Sequence, residues 1–163
     1  MSLFQMIIRS PVAITFFLLL ILAGCAADNK GLDNSSQSRF STQPGTLQDF
    51  TANIGDRIFF DLNSSSIRLD AQQTLARQAQ WLKHYPQYTI TIEGHADERG
   101  TREYNLALGQ RRAVTTRDYL ISQGVVPDRM RTISYGKERP VIVCDDISCW
   151  SQNRRAVTVI ERQ

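Results

Sequence analysis

Ionisable side chains are concentrated between Gly94 and Ala113, in the stretch GHADERGTREYNLALGQRRA. These twenty positions hold one His, one Asp, two Glu and four Arg. Two of these residue types can recognise a zwitterion together, because a carboxylate binds an ammonium group and a guanidinium binds a carboxylate through two parallel hydrogen bonds. Asp97, early in the stretch, and Arg112, near its end, are the candidates for such a pair.

Catalysis and simple solvation are the alternatives for this stretch. His95 with Asp97 or Glu98 could form an acid–base pair or contribute metal ligands. Catalysis is disfavoured because no Ser or Cys has the setting of an activated nucleophile, and the only other histidine, His84, falls at a predicted helix end. No catalytic residue, metal or cofactor is therefore predicted. Taken singly, four charged residues fit a solvated surface with ion pairs worth about 0–1 kcal/mol each: Glu98, Arg99, Arg102 and Glu103.

A strand and a helix position the candidate pair. Residues 88–93 alternate apolar and polar side chains, which predicts a strand with one buried face, and Gly94 ends it. A helix is predicted from Tyr104 to about Gln123. One stripe of that helix carries Asn105, Leu108 and Arg112, and a neighbouring stripe suited to packing on the sheet carries Leu106, Gly109, Ala113 and Leu120. Arg112 is thus expected at the rim of the buried face, near the loop that holds Asp97.

The remaining patterns complete an alternation of strands and helices. Strands are predicted over residues 57–62, 131–135 and 155–160. Another helix is predicted from an N-cap at Asp70 to the break at Pro86, with Leu75, Ala79 and Leu82 on its apolar face. The order β-α-β-α-β-β predicts an α/β fold, a two-layer sandwich of a mixed sheet with helices on one face, and leaves the strand order open.

The N-terminal residues have the pattern of an exported lipoprotein. Arg9 precedes an apolar run over residues 12–22, which is shorter than the ~20 residues of a membrane-spanning helix. The run ends in Leu22-Ala23-Gly24-Cys25, which resembles the bacterial lipobox, so residues 1–24 are predicted as a signal peptide and Cys25 as the lipidated residue. A plain secretory signal with an incidental cysteine is the alternative. Residues 25–50 are predicted as the lipidated Cys and a flexible polar tether, and residues 51–163 as the folded domain.

Two further cysteines, Cys144 and Cys149, suit an oxidising compartment. A disulfide that closes the loop between them is the favoured use. A metal site, which would lack a second pair of ligands, and two free thiols are the alternatives. The formal net charge of +3 is not accompanied by the clustered basic and aromatic residues of a nucleic-acid interface.

The stretch from Gly94 to Ala113 resembles the peptidoglycan-binding signature of OmpA-like C-terminal domains, and within them that of the peptidoglycan-associated lipoproteins. The resemblance covers roughly residues 57–161. It includes Phe60-Asp61, Gly94-His95-Ala96-Asp97, Tyr104-Asn105, Leu108, Arg112-Ala113, Ser134-Tyr135-Gly136, Pro140 and Asn153-Arg154-Arg155.

This resemblance implies a domain that holds the meso-diaminopimelate of the peptidoglycan stem peptide without cleaving it. Asp97 would accept from the ligand ammonium and Arg112 would bind its carboxylate. Phe60 and Asp61 would form another wall, with Asn105 and Leu108 supporting the pocket. His95 is expected to be a satisfied polar group in the turn, and Arg155 a structural ion-pair or rim residue.

The same resemblance implies an outer-membrane lipoprotein that links the membrane to the cell wall and supports envelope integrity and cell division. Ala26 after the lipobox cysteine matches the sorting pattern for the outer membrane, which leaves the domain facing the periplasm. The implied partners are peptidoglycan, TolB and other Tol system proteins. The alternatives are an OmpA-like wall-anchoring module of another envelope machine, and an envelope hydrolase.

Overall fold

The computed structural model describes residues 43–162. The predicted signal peptide, Cys25 and most of the predicted tether lie outside these residues. The helices are α1 (Leu47–Asp49), α2 (Leu69–His84), α3 (Arg102–Ser122) and α4 (Ile147–Asn153), and the strands are β1 (Arg57–Phe59), β2 (Tyr88–His95), β3 (Met130–Gly136) and β4 (Arg155–Arg162). A π-helical turn, Phe50–Ile54, follows α1, and a 3-10 turn, Pro127–Arg129, precedes β3.

The four strands form one mixed sheet in the order β1-β4-β2-β3. Strands β2 and β3 are parallel, and β4 runs antiparallel to both β1 and β2. Helix α3 packs on β2 and β3, and α2 packs on β1 and α3. The predicted α/β fold with a mixed sheet is confirmed. The short helix α4, between β3 and β4, was not predicted.

The buried face of β2 confirms the predicted alternation. Tyr88, Ile90 and Ile92 are buried, whereas the intervening residues are half-buried. These three side chains join the apolar residues of α2 and the other strands in one core. Apolar residues that alternate along a strand therefore cover one face only, and that face receives the helices.

Helix α2 begins at Leu69, with Arg68 as its N-cap residue, so the predicted N-cap at Asp70 was wrong by two positions. Asp70 lies in the first turn and accepts a hydrogen bond from Arg68 Nε at 3.1 Å. A carboxylate in the first turn is favourable beside the positive end of the helix dipole, so an acidic residue there does not by itself mark the cap. The predicted apolar face of Leu75, Ala79 and Leu82 is buried as expected.

The folded domain begins earlier than the predicted boundary after residue 50. Phe50 is only 1% exposed, and its ring lies 4.9 Å from that of Trp81. Asp49 accepts a hydrogen bond from Trp81 Nε1 at 2.9 Å, and Tyr88 donates from its hydroxyl to the Gly45 carbonyl at 2.8 Å. The polar composition of this stretch predicted a tether, but one buried aromatic ring and two hydrogen bonds attach its last residues to the core.

Helix α3 lies unusually close to β2. A Cβ atom added to Gly94 would meet the carbonyl oxygen of Gly109 at 1.8 Å, so only hydrogen at Gly94 permits this approach. The buried face of α3 includes Asn105, Leu108 and Arg112 as well as Gly109. The close packing therefore brings these side chains against the end of β2.

Candidate functional site

A cleft of about 280 Å³ opens where the loop after β2, the first turns of α3 and the segment after β1 meet. Nine residues line it: Leu62, Asn63, Asp97, Arg99, Gly100, Tyr104, Asn105, Leu108 and Arg112. The hydroxyl of Tyr104 donates a hydrogen bond to Asn63 Oδ1. The cleft therefore combines charged, amide and apolar side chains from three separate segments of the chain.

Four of the predicted ligand-binding residues line this cleft: Asp97, Asn105, Leu108 and Arg112. The side chains of Phe60 and Asp61 are not among its lining. Phe60 is 1% exposed in the core, where its ring centroid lies 5.1 Å from the Arg112 guanidinium carbon. The Asp61 side chain points to solvent and pairs with Arg68 at 3.1 Å. The structure thus brings together the loop and helix members of the predicted set but not the two members that follow β1.

Arg112 is fully buried, so the predicted place at the rim was wrong. Its guanidinium donates hydrogen bonds to the backbone carbonyls of Ser64 at 2.8 Å, His95 at 2.7 Å and Asp61 at 3.2 Å. Burial lowers the pKa of Arg112 to about 10, although the nearby Asp97 carboxylate acts in the opposite direction. The side chain remains charged at neutral pH. Three of its five N–H groups are thus engaged by backbone carbonyls.

Asp97 is nearly buried and lies between two guanidinium groups. Its Oδ2 accepts from Arg99 Nη2 at 2.6 Å and from Arg154 Nη1 at 3.3 Å. Burial raises the pKa of Asp97, but the hydrogen bonds from Arg99 and Arg154 outweigh it, so the pKa lies below its usual value. Asp97 is therefore an ionised carboxylate at neutral pH, able to attract an ammonium group.

The loop between β2 and α3 is held from two sides. Asn105 Nδ2 donates to the Arg99 carbonyl at 2.8 Å, and Lys137 Nζ donates to the Gly100 carbonyl at 2.8 Å. Thr101 caps α3 by accepting from the backbone N–H of Tyr104 at 3.2 Å. Asn105 thus holds the backbone of the loop that contains Asp97.

His95 was expected to be a satisfied polar group, and that prediction was wrong. The residue is 1% exposed, and neither ring nitrogen makes a hydrogen bond to the described protein atoms. Burial, and to a smaller extent the charges of Arg155, Arg139 and Arg57, lower the pKa of His95 to about 4. Glu93 is the acidic group nearby, with Oε2 at 3.6 Å from His95 Nε2. His95 is therefore neutral at pH 7 and packs as part of the interior.

The buried imidazole makes the protein sensitive to mild acid. Its folded-state pKa of about 4 lies below the ordinary value of 6.5, so the unfolded chain binds the proton first as the pH falls. This contribution to stability is complete above pH 6.5 and lost as the pH approaches 4, where the free energy of unfolding should be lower by about 3 kcal/mol.

Urea denaturation at several pH values between 7 and 4 measures this effect. His95→Leu should flatten the profile in this window, because it removes the titrating group and keeps an apolar side chain of similar size. His84→Leu, at the end of α2, serves as the matched control and should retain the wild-type profile. An unchanged profile in the His95 variant would contradict the assignment.

Arg99, Arg154 and Tyr104 contribute to the site without having been predicted to do so. Arg99 had been assigned to the solvated surface, but it lines the cleft and binds Asp97. Arg154 belongs to the motif Asn153-Arg154-Arg155 of the family resemblance, but the sequence did not indicate that Asp97 is its partner. Arg155 is buried and donates to the Arg139 carbonyl at 3.1 Å, so it serves as a structural residue that forms no ion pair with residues 43–162.

Cys144 and Cys149 are joined by a disulfide with their Cα atoms 5.8 Å apart. It links the loop before α4 to the first turn of that helix. The next residue, Trp150, lies under Arg99, whose guanidinium carbon is 4.0 Å from the ring centroid. The cysteine loop therefore reaches the cleft indirectly through Trp150.

Among residues 43–162, no cluster of three or more His, Cys, Asp or Glu side chains could hold a metal ion. Within that same span, none of the helices has the length and apolar character required to cross a bilayer.

The OmpA family model matches residues 59–154, a range that runs from the last residue of β1 to just after α4 and includes all residues that line the cleft. A crystal structure of the peptidoglycan-associated lipoprotein from Burkholderia pseudomallei is similar over 70% of this chain and 98% of that chain, with 42% sequence identity and a TM-score of 0.67. The C-terminal domain of Helicobacter pylori MotB shares the fold alone, at 24% identity and a TM-score of 0.62. The sheet, its helices and the matched residues define an OmpA-type α/β domain.

The similarity to sequence relatives extends well beyond that domain. The chain is 67% identical to the peptidoglycan-associated lipoprotein of Brucella melitensis, over 96% of this chain and 95% of the relative. It is 66% identical to the protein of the same name from Agrobacterium fabrum, over 96% of this chain and 90% of the relative. The chain belongs to the OmpA family and, within it, to the peptidoglycan-associated lipoproteins.

Proposed function

We propose that the protein binds peptidoglycan non-covalently by holding the meso-diaminopimelate of the stem peptide in the cleft. The observation that carries this proposal is the pairing of an ionised carboxylate, Asp97, with a buried guanidinium, Arg112, in one cleft. The free end of diaminopimelate is an amino acid, with an ammonium and a carboxylate on the same carbon. Asp97 would take the ammonium, and the two remaining N–H groups of Arg112 would take the carboxylate.

The neutral walls of the cleft fit the rest of such a ligand. Leu62 and Leu108 offer apolar surface to the methylene chain of diaminopimelate, and the ring of Tyr104 stands beside them. Asn105 keeps the loop in position through the Arg99 carbonyl. Phe60 supports the site from behind by its contact with Arg112, and Asp61 by the carbonyl that Arg112 binds.

The role we propose is binding without cleavage. The residues that line the cleft include no serine, cysteine or histidine that could serve as nucleophile or general base. His95, the nearest histidine, is buried and neutral, and its carbonyl is bound by Arg112. The relatives are named as lipoproteins, which agrees with a structural role.

Retention on purified wall sacculi tests the proposal. The full chain in detergent should sediment with sacculi, and excess free meso-diaminopimelate should release it. Nα-acetyl-lysine at the same concentration is the matched competitor and should not release the protein, since its free end has an ammonium group without a carboxylate on the same carbon. Release of soluble wall fragments by the protein would contradict binding without cleavage, and failure to sediment would contradict the proposal itself.

We further propose that Cys25 carries the lipid anchor and that the protein links the outer membrane to the wall from the periplasmic side. Many copies acting between two extended surfaces would let modest individual affinities hold the envelope together. In this role the protein acts with TolB and other Tol proteins to support envelope integrity and cell division. Co-purification of TolB with the full chain tests this partnership.

Substitution of Cys25 tests the anchor. Cys25→Ser should move the protein from the membrane fraction to the soluble periplasmic fraction, because the serine cannot form the thioether to diacylglycerol. Cell fractionation followed by immunoblotting measures this change. Cys144→Ser together with Cys149→Ser is the control, and this double variant should remain in the membrane fraction. Continued membrane association of the Cys25 variant would contradict the anchor.

A further inference from the structure

The acceptor positions of Asp97 are occupied by the protein itself. Oδ1 accepts from the backbone N–H and the Nε of Arg99, at 3.3 and 3.2 Å. Oδ2 accepts from Arg99 Nη2 at 2.6 Å and from Arg154 Nη1 at 3.3 Å. Two carboxylate oxygens offer about four acceptor positions, so a ligand ammonium has to displace one of these donors.

Arg99 is the donor that can leave. Its side chain is 36% exposed, whereas that of Arg154 is 11% exposed. Arg154 is also held by the Phe60 carbonyl, which accepts from its Nε at 3.1 Å. Within the described part of the chain the Arg99 guanidinium has no comparable backbone partner, and its second support is the face of the Trp150 ring at 4.0 Å. Movement of Arg99 away from Asp97 can therefore proceed with the cation still above the indole.

Displacement leaves Arg99 without its hydrogen-bonded carboxylate inside a cationic cleft, and Glu98 is the nearby acid whose charge still acts on it. The lining has one carboxylate and two guanidinium groups, and Arg154 adds a third guanidinium in contact with Asp97. A ligand whose bound end is a zwitterion does not change the net charge of the cleft. Glu98, the neighbouring acid, already accepts a hydrogen bond from Trp150 Nε1 at 2.8 Å. A second carboxylate on the ligand would supply the missing partner.

We infer that Arg99 is a specificity-determining residue: the ligand ammonium displaces it from Asp97, and it then binds a second carboxylate of the stem peptide. This inference rests on the proposed function. It narrows the ligand to stem peptides that carry a free carboxylate at the main-chain end as well as the zwitterionic end of diaminopimelate. Trp150 acts as a positioning residue that keeps the released guanidinium beside the cleft.

Calorimetric titration with two synthetic peptides tests the inference. Both are stem tripeptides ending in meso-diaminopimelate with the zwitterionic end intact and the glutamyl α-carboxyl amidated. The main-chain carboxyl of diaminopimelate is free in one peptide and amidated in the other. For the wild-type full chain in detergent, amidation should weaken binding about tenfold or more, the loss of one charge-assisted hydrogen-bonded pair. In Arg99→Gln the two peptides should bind with equal affinity. That variant should bind the amidated peptide at least as tightly as the wild type, because the internal competitor for Asp97 is gone.

Arg102→Gln is the matched control, since Arg102 belongs to the same segment but pairs with Glu138 outside the cleft. It should keep the wild-type preference for the free carboxylate. Equal affinities in the wild type, as expected if Arg99 turned to Glu98 instead, would overturn the inference. A preference for the free carboxylate in Arg99→Gln as large as that of the wild type would also overturn the inference. Binding of neither peptide by the wild type would contradict the proposed function itself.

The ratio of the affinities for the free and the amidated peptide also measures the role of Trp150. Trp150→Phe keeps an aromatic face for the cation and should preserve most of the preference, although it loses the hydrogen bond to Glu98. Trp150→Leu removes the face and should reduce the preference. An equal preference in the leucine and phenylalanine variants would show that the ring does not position Arg99.

Discussion

Arg112→Ala is expected to lower the free energy of unfolding by at least about 3 kcal/mol, an effect far beyond the loss of one ligand contact. The guanidinium is fully buried and binds three backbone carbonyls that belong to β2 and to the segment after β1. Its removal leaves these carbonyls without their donor and opens a cavity against Phe60. Each unsatisfied carbonyl costs about 1–3 kcal/mol.

Chemical denaturation of the variant alongside Arg111→Ala measures this effect. Arg111 is the neighbouring residue on α3 and is exposed, so its substitution should change stability by less than about 0.5 kcal/mol. Equal stability of the two variants would contradict the structural role of Arg112. If the expected difference is found, loss of wall binding in Arg112→Ala has to be corrected for the fraction of unfolded protein before it reports on ligand contact.

The periodicity of the chain predicted the elements that build the site. Strand β2 alternates at period 2, and α3 carries Asn105, Leu108 and Arg112 at helical spacing. These patterns are local, so residues a few positions apart determine them. Asp97, Asn105, Leu108 and Arg112 could therefore be placed near one another from the sequence, and the structure brings them to one cleft.

The burial of each side chain could not be predicted from these local patterns. Arg112 is buried because Gly94 and Gly109 let α3 approach β2, a contact between residues fifteen positions apart. The structural partner of Asp97, Arg154, lies 57 positions away. Such non-local contacts depend on how the strands are ordered, and the sequence pattern left that order open.

Two other differences between the sequence prediction and the structure also arise from contacts with residues distant in the chain. Arg99 is a charged residue of a type usual at the surface, and the structure shows its guanidinium held at the cleft by Asp97 and by the ring face of Trp150 on α4. Phe50 lies in a polar stretch, and its burial depends on Trp81 in α2. An isolated apolar side chain without periodic neighbours does not indicate burial in the sequence. One contact such as that of Phe50 with Trp81 can nevertheless determine where a domain begins.

Asp97→Asn is expected to reduce retention on wall sacculi by about 10- to 100-fold, the value of one charged hydrogen bond of about 1.5–3 kcal/mol. The substitution removes the negative charge that would attract the ligand ammonium. It keeps the size of the side chain and one oxygen that can accept from Arg154, so the protein should remain folded at neutral pH. Quantitative sedimentation with sacculi, together with a denaturation curve of each variant, separates binding from stability.

Asp61→Asn is the control that makes this test specific. Asp61 was predicted from the family resemblance to form a wall of the site, but its carboxylate lies in solvent beside Arg68 and its main-chain carbonyl is what Arg112 binds. An Asn at this position keeps that carbonyl, so wall retention should equal that of the wild type. Equal losses in the two variants would mean that the ligand draws Asp61 into the cleft, and wild-type retention by Asp97→Asn would contradict the ammonium site. A loss confined to Asp97→Asn would support the buried carboxylate of the loop after β2, rather than the carboxylate of Asp61 after β1, as the partner of the ligand ammonium.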